Sequence, residues 1–167
     1  MNESERDLRE RWISGEEACV RTEIIKGLGQ GIRWEQLLRR VKRSDEVPFG
    51  FDLRGIDLSG QDLFGQDFAD ASLDYANFDH VVGSGAMFDY CSLRFASFRY
   101  ANLDKSQFMF VKALDSNFTG ASLRYSHLDD ADFSSAVFDN ADFTSAFSNK
   151  VTNFRGASLN GTIGLSN

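Results

Sequence analysis

The feature that most constrains this chain is a large apolar residue at almost every fifth position from Leu53 to Phe143. A period of five matches neither the 3.6-residue repeat of an α-helix nor the two-residue alternation of a flat strand. An amphipathic helix and an ordinary sheet are therefore both excluded for this region. The large residues are Leu53, Leu58, Leu63, Phe68, Leu73, Phe78, Phe88, Leu93, Phe98, Leu103, Phe108, Phe118, Leu123, Leu128, Phe133, Phe138 and Phe143.

A small residue stands two positions before most of these large ones, as in Ala76-Asn77-Phe78 and Ala131-Asp132-Phe133. The pattern resembles the pentapeptide-repeat family, whose unit is a small residue, Asp or Asn, Leu or Phe, and two variable positions. The resemblance implies a right-handed quadrilateral β-helix, in which four units form one coil. The small and large residues then point inside, and the other three point outward. We thus expect a mainly β solenoid with a small N-terminal α-helical cap.

Three departures from the repeat carry further predictions. Gly83 and Ala113 occupy central positions, and Gly83 indicates either an underfilled face or a loop. After Phe143 the large residues Phe154 and Leu159 come one position late. An extra residue of this kind predicts a bulge or kink between positions 145 and 152.

The chain divides into a helical segment, 1–48, and the repeat array, 49–167, with the single proline, Pro48, at the boundary. A capping-box spacing of Ser14 and Glu17, followed by apolar residues at helical intervals, predicts a helix that stops at one of Gly27, Gly29 and Gly31. A second helix is predicted from the spacing of Trp34, Leu37, Leu38 and Val41. These helices either cap the first coil, as solenoids require, or form a separate docking module.

Composition argues against several classes of function. No apolar stretch is long enough to span a bilayer, and no basic segment followed by an apolar one opens the sequence. The two cysteines lie in regions of different character, so reduced thiols and a cytoplasmic, bacterial protein are expected. We predict no membrane partner.

Catalysis and cofactor binding are not expected. The only histidines are His80 and His127, which fall in outward positions of different coils, and no metal-binding motif is present. The five-residue spacing sends the aspartates to different faces, so they do not converge on one substrate. We therefore predict no enzyme activity, no cofactor and no metal site.

Two outer surfaces are candidates for binding a protein. The first is an edge of outward apolar residues, since exposed aromatic and Met side chains mark interfaces. It comprises Met87, Tyr90, Phe95, Tyr100, Met109 and Phe110. The alternative is that these side chains lie flat or are covered by the N-terminal helices.

The second candidate is acidic, because residues 49–167 carry fifteen aspartates and only eight basic residues. The acidic set comprises Asp74, Asp79, Asp89, Asp104, Asp129 and Asp139. Some family members resemble B-DNA and bind type II topoisomerases. The resemblance therefore implies, as an alternative, an acidic DNA mimic that binds and protects or inhibits a type II topoisomerase such as DNA gyrase. The array, at ~4.8 Å for each coil, is short for such a mimic. Direct binding to nucleic acid is not expected.

The last coil supplies a third surface. An uncovered apolar coil end favours self-association, which predicts a homodimer through Phe154, Leu159, Ile163 and Leu165. The sequence thus predicts a non-catalytic scaffold, inhibitor or regulator that uses its outer faces to bind a protein partner.

Overall fold

The computed structural model describes residues 3–14, 16–29, 32, 36 and 51–165. Helix α1 spans Glu3–Glu10 and helix α2 spans Glu16–Gly29. Helix α2 confirms the first predicted helix. The predicted second helix and the predicted boundary at Pro48 lie outside the described residues. Neither α1 nor α2, the helices of the described part, has the length and apolar character that crossing a bilayer requires.

Residues 51–165 wind into stacked four-sided coils. Each five-residue unit ends in a tight turn. The first residue of the next unit donates its N–H to the carbonyl of the unit's central residue, as Ile56 does to Leu53 at 3.1 Å. Four such units form one coil, because parallel bridges join positions twenty residues apart, such as Asp52 and Ser72. Coils 1 to 4 are residues 51–70, 71–90, 91–110 and 111–130.

The four faces of the array are defined by the units of coil 1. Face 1 begins with residues 51–55, face 2 with 56–60, face 3 with 61–65 and face 4 with 66–70, and each continues in steps of twenty. Pairing between coils consists of isolated parallel bridges, one for each unit.

Backbone hydrogen bonds connect each coil to the next. On face 1, Leu53 N–H donates to the Ser72 carbonyl at 2.9 Å and Gly55 N–H to the Asp74 carbonyl at 2.8 Å. Ser72 N–H donates in the opposite direction, to the Phe51 carbonyl at 2.9 Å. Because this pattern recurs from unit to unit, the buried polar backbone is satisfied by neighbouring coils.

The predicted interior is confirmed. Every large residue that the five-residue period identifies is buried, and so are the small residues two positions earlier. Phenylalanine rings stack along face 2, where Phe78, Phe98 and Phe118 have centroids 4.7 Å apart. A second column on face 4 meets the first edge to face, with Phe88 and Phe98 5.5 Å apart. Such edge-to-face contacts suit the ring quadrupoles.

At Gly83 the structure decides between the two expected alternatives. The backbone keeps its place in the ladder, since Gly83 N–H donates to the Asn102 carbonyl at 2.8 Å. A Cβ atom at this position would lie 3.1 Å from Leu103 Cδ2. The Leu103 side chain therefore occupies part of the space that a larger residue would take, and no loop forms.

The predicted irregularity near the end of the array is confirmed. His127 pairs with Phe147, twenty residues away, whereas Asp132 pairs with Asn153, twenty-one residues away. The extra residue is accommodated in a turn in which Asn149 Oδ1 accepts from Val151 N–H at 3.0 Å. After this turn the ladder continues in the shifted register.

The N-terminal helices pack on coil 1. Trp12, Ile24 and Leu28 join the same buried cluster as the central leucines of the first coil. The indole N–H of Trp12 donates to the Arg54 carbonyl at 2.9 Å. A Cβ atom at Gly55 would stand 2.4 Å from the Leu8 carbonyl oxygen, so α1 approaches this corner more closely than any side chain permits.

Candidate functional site

The corners of the coil display the fifth residue of each unit. From Gly55 to Ser145 these residues all have positive φ, for example Tyr90 at 61° and Phe110 at 58°. Bulky residues rarely adopt this left-handed conformation, which favours glycine. With this backbone conformation, the side chains at the corners project outward from the array.

The six residues of the predicted aromatic edge occupy three corners and one face, so their expected placement on a single edge is wrong. Tyr90 and Phe110 share the corner of face 4, and Met87 and Met109 lie on that face. Phe95 stands at the corner of face 1. Tyr100 stands at the corner of face 2, because each five-residue step turns the chain by one side and only residues twenty apart stack.

Each corner aromatic of this set has a stacked partner in a neighbouring coil. The ring centroids of Tyr90 and Phe110 are 4.9 Å apart, with an interplanar angle of 6°. Phe95 stacks on Tyr75 at 5.0 Å, and Tyr100 stacks on His80 at 5.3 Å. The rings stay accessible, with exposed fractions of 60% for Tyr90 and 44% for Phe110. The alternative that they are covered by the N-terminal helices therefore does not hold for these two rings.

The acidic set is distributed over all four faces, which corrects the expectation of one acidic flank. Asp74 lies on face 1, Asp79 and Asp139 on face 2, and Asp104 on face 3. Asp89 and Asp129 lie on face 4. The acids are dispersed because each five-residue step moves the chain to the next face.

Several of these carboxylates tie one coil to the next. Asp74 Oδ1 accepts from the Ser92 hydroxyl at 2.6 Å and from Arg94 N–H at 2.9 Å. Three further sets repeat this arrangement: Asp79 with Ser97 and Arg99, Asp104 with Ser122 and Arg124, and Asp139 with Ser158 and Asn160. The hydroxyl of Ser158 holds the pKa of Asp139 below its usual range. These aspartates therefore have a structural role.

Elsewhere the N–H of the fourth residue is satisfied within its own unit. Asp62 Oδ1 accepts from Phe64 N–H at 3.0 Å, two residues on, and Asn117 Oδ1 accepts from Thr119 N–H at 2.9 Å. These are Asx turns, which explain the preference for Asp or Asn before the central residue. Where that position holds Ser, in the four sets above, an Asp of the previous coil takes over the same N–H.

Asp89 differs from the other acids of the set. Its Oδ1 atom accepts from Met109 N–H at 2.8 Å. Burial nevertheless raises the pKa of this carboxyl, and the negative charge of Asp67 on the coil below raises it further. Face 4 therefore concentrates negative charge against apolar side chains.

The residues of the predicted dimer end lie together on the last turns of the array. Phe154 stacks on Phe133 at 5.5 Å, and Phe154, Leu159 and Leu165 are only partly buried. Ile163 is 57% exposed and pairs with Asp142 in the ladder. A dimer through this surface stays a prediction.

Sequence reasoning missed a cavity of about 410 Å³ between the N-terminal helices and coil 1. It is lined in part by Trp12, Arg21 and Asp57. Arg21 pairs with Asp57 at 3.5 Å and donates to its carbonyl at 2.8 Å. No local signal marks this cavity, because its walls come from segments that are far apart in the sequence.

Comparisons with known proteins support the five-residue repeat found in the sequence. The family model for pentapeptide repeats matches residues 84–109 and 115–147, in eight copies. A solved pentapeptide repeat protein from the thylakoid lumen of Arabidopsis thaliana is 26% identical, with a TM-score of 0.50. That match covers 66% of this chain and 63% of the other, so it spans less than two thirds of the relative's length.

A trypsin-treated variant of QnrB1, a plasmid-mediated fluoroquinolone resistance protein, is 22% identical, with a TM-score of 0.42. The match covers 73% of this chain and 66% of that one. No curated protein matches this sequence. The family match and the Arabidopsis structure imply a right-handed quadrilateral β-helix, and the repeat array of this chain is similar to pentapeptide-repeat proteins.

Proposed function

We propose that this chain is a non-catalytic interaction protein, which binds a partner protein through the outer surface of its coils. The observation that carries the proposal is the set of exposed, stacked aromatic pairs at the corners, above all Tyr90 with Phe110. Aromatic side chains supply much of the binding energy at protein interfaces. We also propose that α1 and α2 act as the cap of the first coil.

The corner rings suit binding because they are already ordered. Each ring is held by its neighbour at about the spacing of the coils, 4.9 Å for Tyr90 and Phe110. The backbone beneath is fixed by hydrogen bonds to the next coil, as from Tyr90 N–H to the Met109 carbonyl at 3.0 Å. A preorganised surface loses little conformational entropy on association.

The acidic DNA mimic remains the alternative function. A mimic presents its negative charge as a continuous stripe to a basic groove. Here the predicted acids occupy four faces, and Asp74, Asp79, Asp104 and Asp139 each accept hydrogen bonds from the next coil. The arrangement supports aromatic binding better than mimicry.

The test is affinity capture from a lysate of the native host at low and at high salt. A Phe95→Ser/Phe110→Ser variant removes one ring from each of two stacked pairs. A Phe64→Ser/Tyr125→Ser variant is the matched control, since it removes two exposed aromatic side chains of face 3. Circular dichroism verifies that both variants fold.

A partner that is retained at high salt and lost only with Phe95→Ser/Phe110→Ser supports the proposal. Capture of a topoisomerase that salt abolishes and neither variant affects would favour the DNA mimic. Turnover of a substrate would contradict the non-catalytic role. The cytoplasmic, bacterial location stays a prediction, and a monomer in solution scattering would contradict the predicted dimer.

A further inference from the structure

Face 4 combines apolar and acidic side chains. Its middle coils present Met87 and Tyr90 from coil 2 and Met109 and Phe110 from coil 3. Tyr90 and Phe110 occupy equivalent positions one coil apart, and the two methionines lie beside them in the same two units, so we treat these four side chains as one patch. The rings of Tyr90 and Phe110 stack at its corner.

Carboxylates border this patch above and below. Asp67 and Asp70 lie on coil 1, and Asp129 and Asp130 lie on coil 4. Asp89 lies within the patch, bonded to Met109 N–H. An apolar centre with a charged rim is the usual anatomy of a protein interface.

Face 4 is also unbalanced in charge. Its units in coils 1 to 4, all within the described part of the chain, contain five aspartates and neither lysine nor arginine. Face 1, over residues 51–55 and the equivalent units up to Arg155, has four aspartates and four basic residues. Lys150 follows on face 4 in unit 146–150, whereas Lys105 and Lys112 stand on the adjoining faces. Over coils 1 to 4, face 4 therefore carries an unbalanced negative charge.

Three side-chain contacts between the N-terminal segment and coil 1 lie on other faces. Arg11 bonds Asp52 and Trp12 bonds Arg54, both on face 1, while Arg21 bonds Asp57 on face 2. Tyr90 is 60% exposed. The patch on face 4 is thus accessible to another molecule.

We propose that face 4 binds a basic amphipathic helix of a partner protein, with the apolar side of the helix on Met87, Tyr90, Met109 and Phe110. Lysine and arginine side chains bordering that apolar side would meet the carboxylates of coils 1 and 4. Four coils at ~4.8 Å span ~20 Å, which corresponds to about 13 residues of helix. This inference rests on the proposed function and specifies the face and the class of partner.

The test uses a fluorescently labelled synthetic helix of about 18 residues, with a leucine stripe bordered by lysine and arginine. Fluorescence anisotropy gives its affinity for the full chain. A peptide of identical composition but scrambled order keeps the charge and removes the stripe. We expect the scrambled peptide to bind about tenfold more weakly, because it cannot place its leucines and its charges on face 4 together.

Two triple variants test the face. Asp67→Asn/Asp70→Asn/Asp130→Asn neutralises three of the four rim carboxylates of face 4, and Asp57→Asn/Asp79→Asn/Asp139→Asn neutralises three carboxylates of face 2. Both raise the net charge by the same amount, and asparagine keeps the oxygen with which Asp67 accepts from Ala69 N–H. We expect only the face 4 variant to weaken binding of the amphipathic peptide, by about tenfold at low salt.

A Met87→Ser/Met109→Ser variant should also weaken binding, and this loss should persist at high salt. Equal loss with the two triple variants, or equal affinity for the two peptides, would overturn the inference, because either result indicates attraction by net charge alone. If lysate capture yields a partner that no face 4 variant affects, this inference fails and the proposed function stands. If no protein binds at any face, the proposed function fails as well.

Discussion

The interior and the outer surface of the coils follow different rules. Inside, the same few residue types recur at fixed positions, and Phe98 is fully buried between stacked rings. Outside, the neighbouring corner residue Phe95 is 45% exposed, and equivalent positions elsewhere hold Gly, Asp, Lys or Tyr. The difference shows that stability and recognition depend on different positions of the array. Packing restricts which residues an inward position can hold, whereas a position that faces solvent accepts many.

Two outward aspartates contribute to stability and so do not follow this separation. Asp52 occupies an outward slot of coil 1 but is only 8% exposed, because Arg11 reaches it from the N-terminal segment. Asp104 belongs to the exterior but bonds Ser122 and Arg124 of the next coil. The predictions below test how far the division between inside and outside holds.

The largest effect is expected from Phe98→Ala. Removing a fully buried ring from a stacked column leaves a cavity and should lower the free energy of unfolding by about 3 to 5 kcal/mol. The matched variant Phe95→Ala loses an exposed ring and its stacking on Tyr75, which should cost about 1 kcal/mol. Urea denaturation followed by circular dichroism measures both. Similar losses in the two variants would contradict the division.

A smaller effect is expected from Arg11→Met, which removes a guanidinium that bonds Asp52 at 3.1 Å. The loss should be about 1.5 to 3 kcal/mol at pH 7, as for other hydrogen bonds to charged groups. Burial alone would raise the pKa of Asp52, but hydrogen bonds from Arg54 and Arg11 and the charge of Arg11 hold it well below its usual range.

Because the pKa of Asp52 is lower in the folded than in the unfolded chain, its contribution to stability is complete above about pH 4 and is lost as the pH falls further. The difference in unfolding free energy between wild type and Arg11→Met should therefore shrink below about pH 4. Arg124→Met is the control, because Arg124 and Asp142 form an exposed pair at 3.8 Å. Such pairs contribute less than about 1 kcal/mol. A constant difference at all pH values would show that Arg11 acts by packing alone.

The smallest effect is expected from Asp104→Ala. It removes an acceptor shared by the Ser122 hydroxyl and Arg124 N–H, and should cost about 1 kcal/mol. Asp104→Asn keeps an acceptor oxygen and should lose less than half as much. Thermal unfolding distinguishes the two variants. If both were as stable as the wild type, the contacts between Asp and Ser of neighbouring coils would have no structural role.

Much of the fold was predictable because each unit repeats the same requirement for a large and a small inward residue. The buried positions, the helix α2 and the shifted register near Asn149 all follow from local spacing. The contacts between coils left a signal that was overlooked, an aspartate followed eighteen residues later by serine, as in Asp74 and Ser92. Glycines at the fifth position, such as Gly60, likewise indicated the positive φ of the corners.

The candidate site was less predictable. The sequence identified the outward residues, but grouping them required the geometry of the coil. Phe95 and Tyr100 are close in sequence to Tyr90, yet they stand at successive corners. Met87 and Phe110 are far apart in sequence but share face 4. Residues twenty apart become neighbours only after the coil has closed.

By itself, the sequence determined which residues are inside, since a five-residue period of large and small side chains permits only one way to bury them. Tertiary structure alone decided which outward residues share a face, how Arg11 reaches Asp52 across 41 positions, and how the helices dock on coil 1. The physical reason is the range of the interactions. Burial is decided within one unit, whereas a surface is assembled from several coils and from a distant segment.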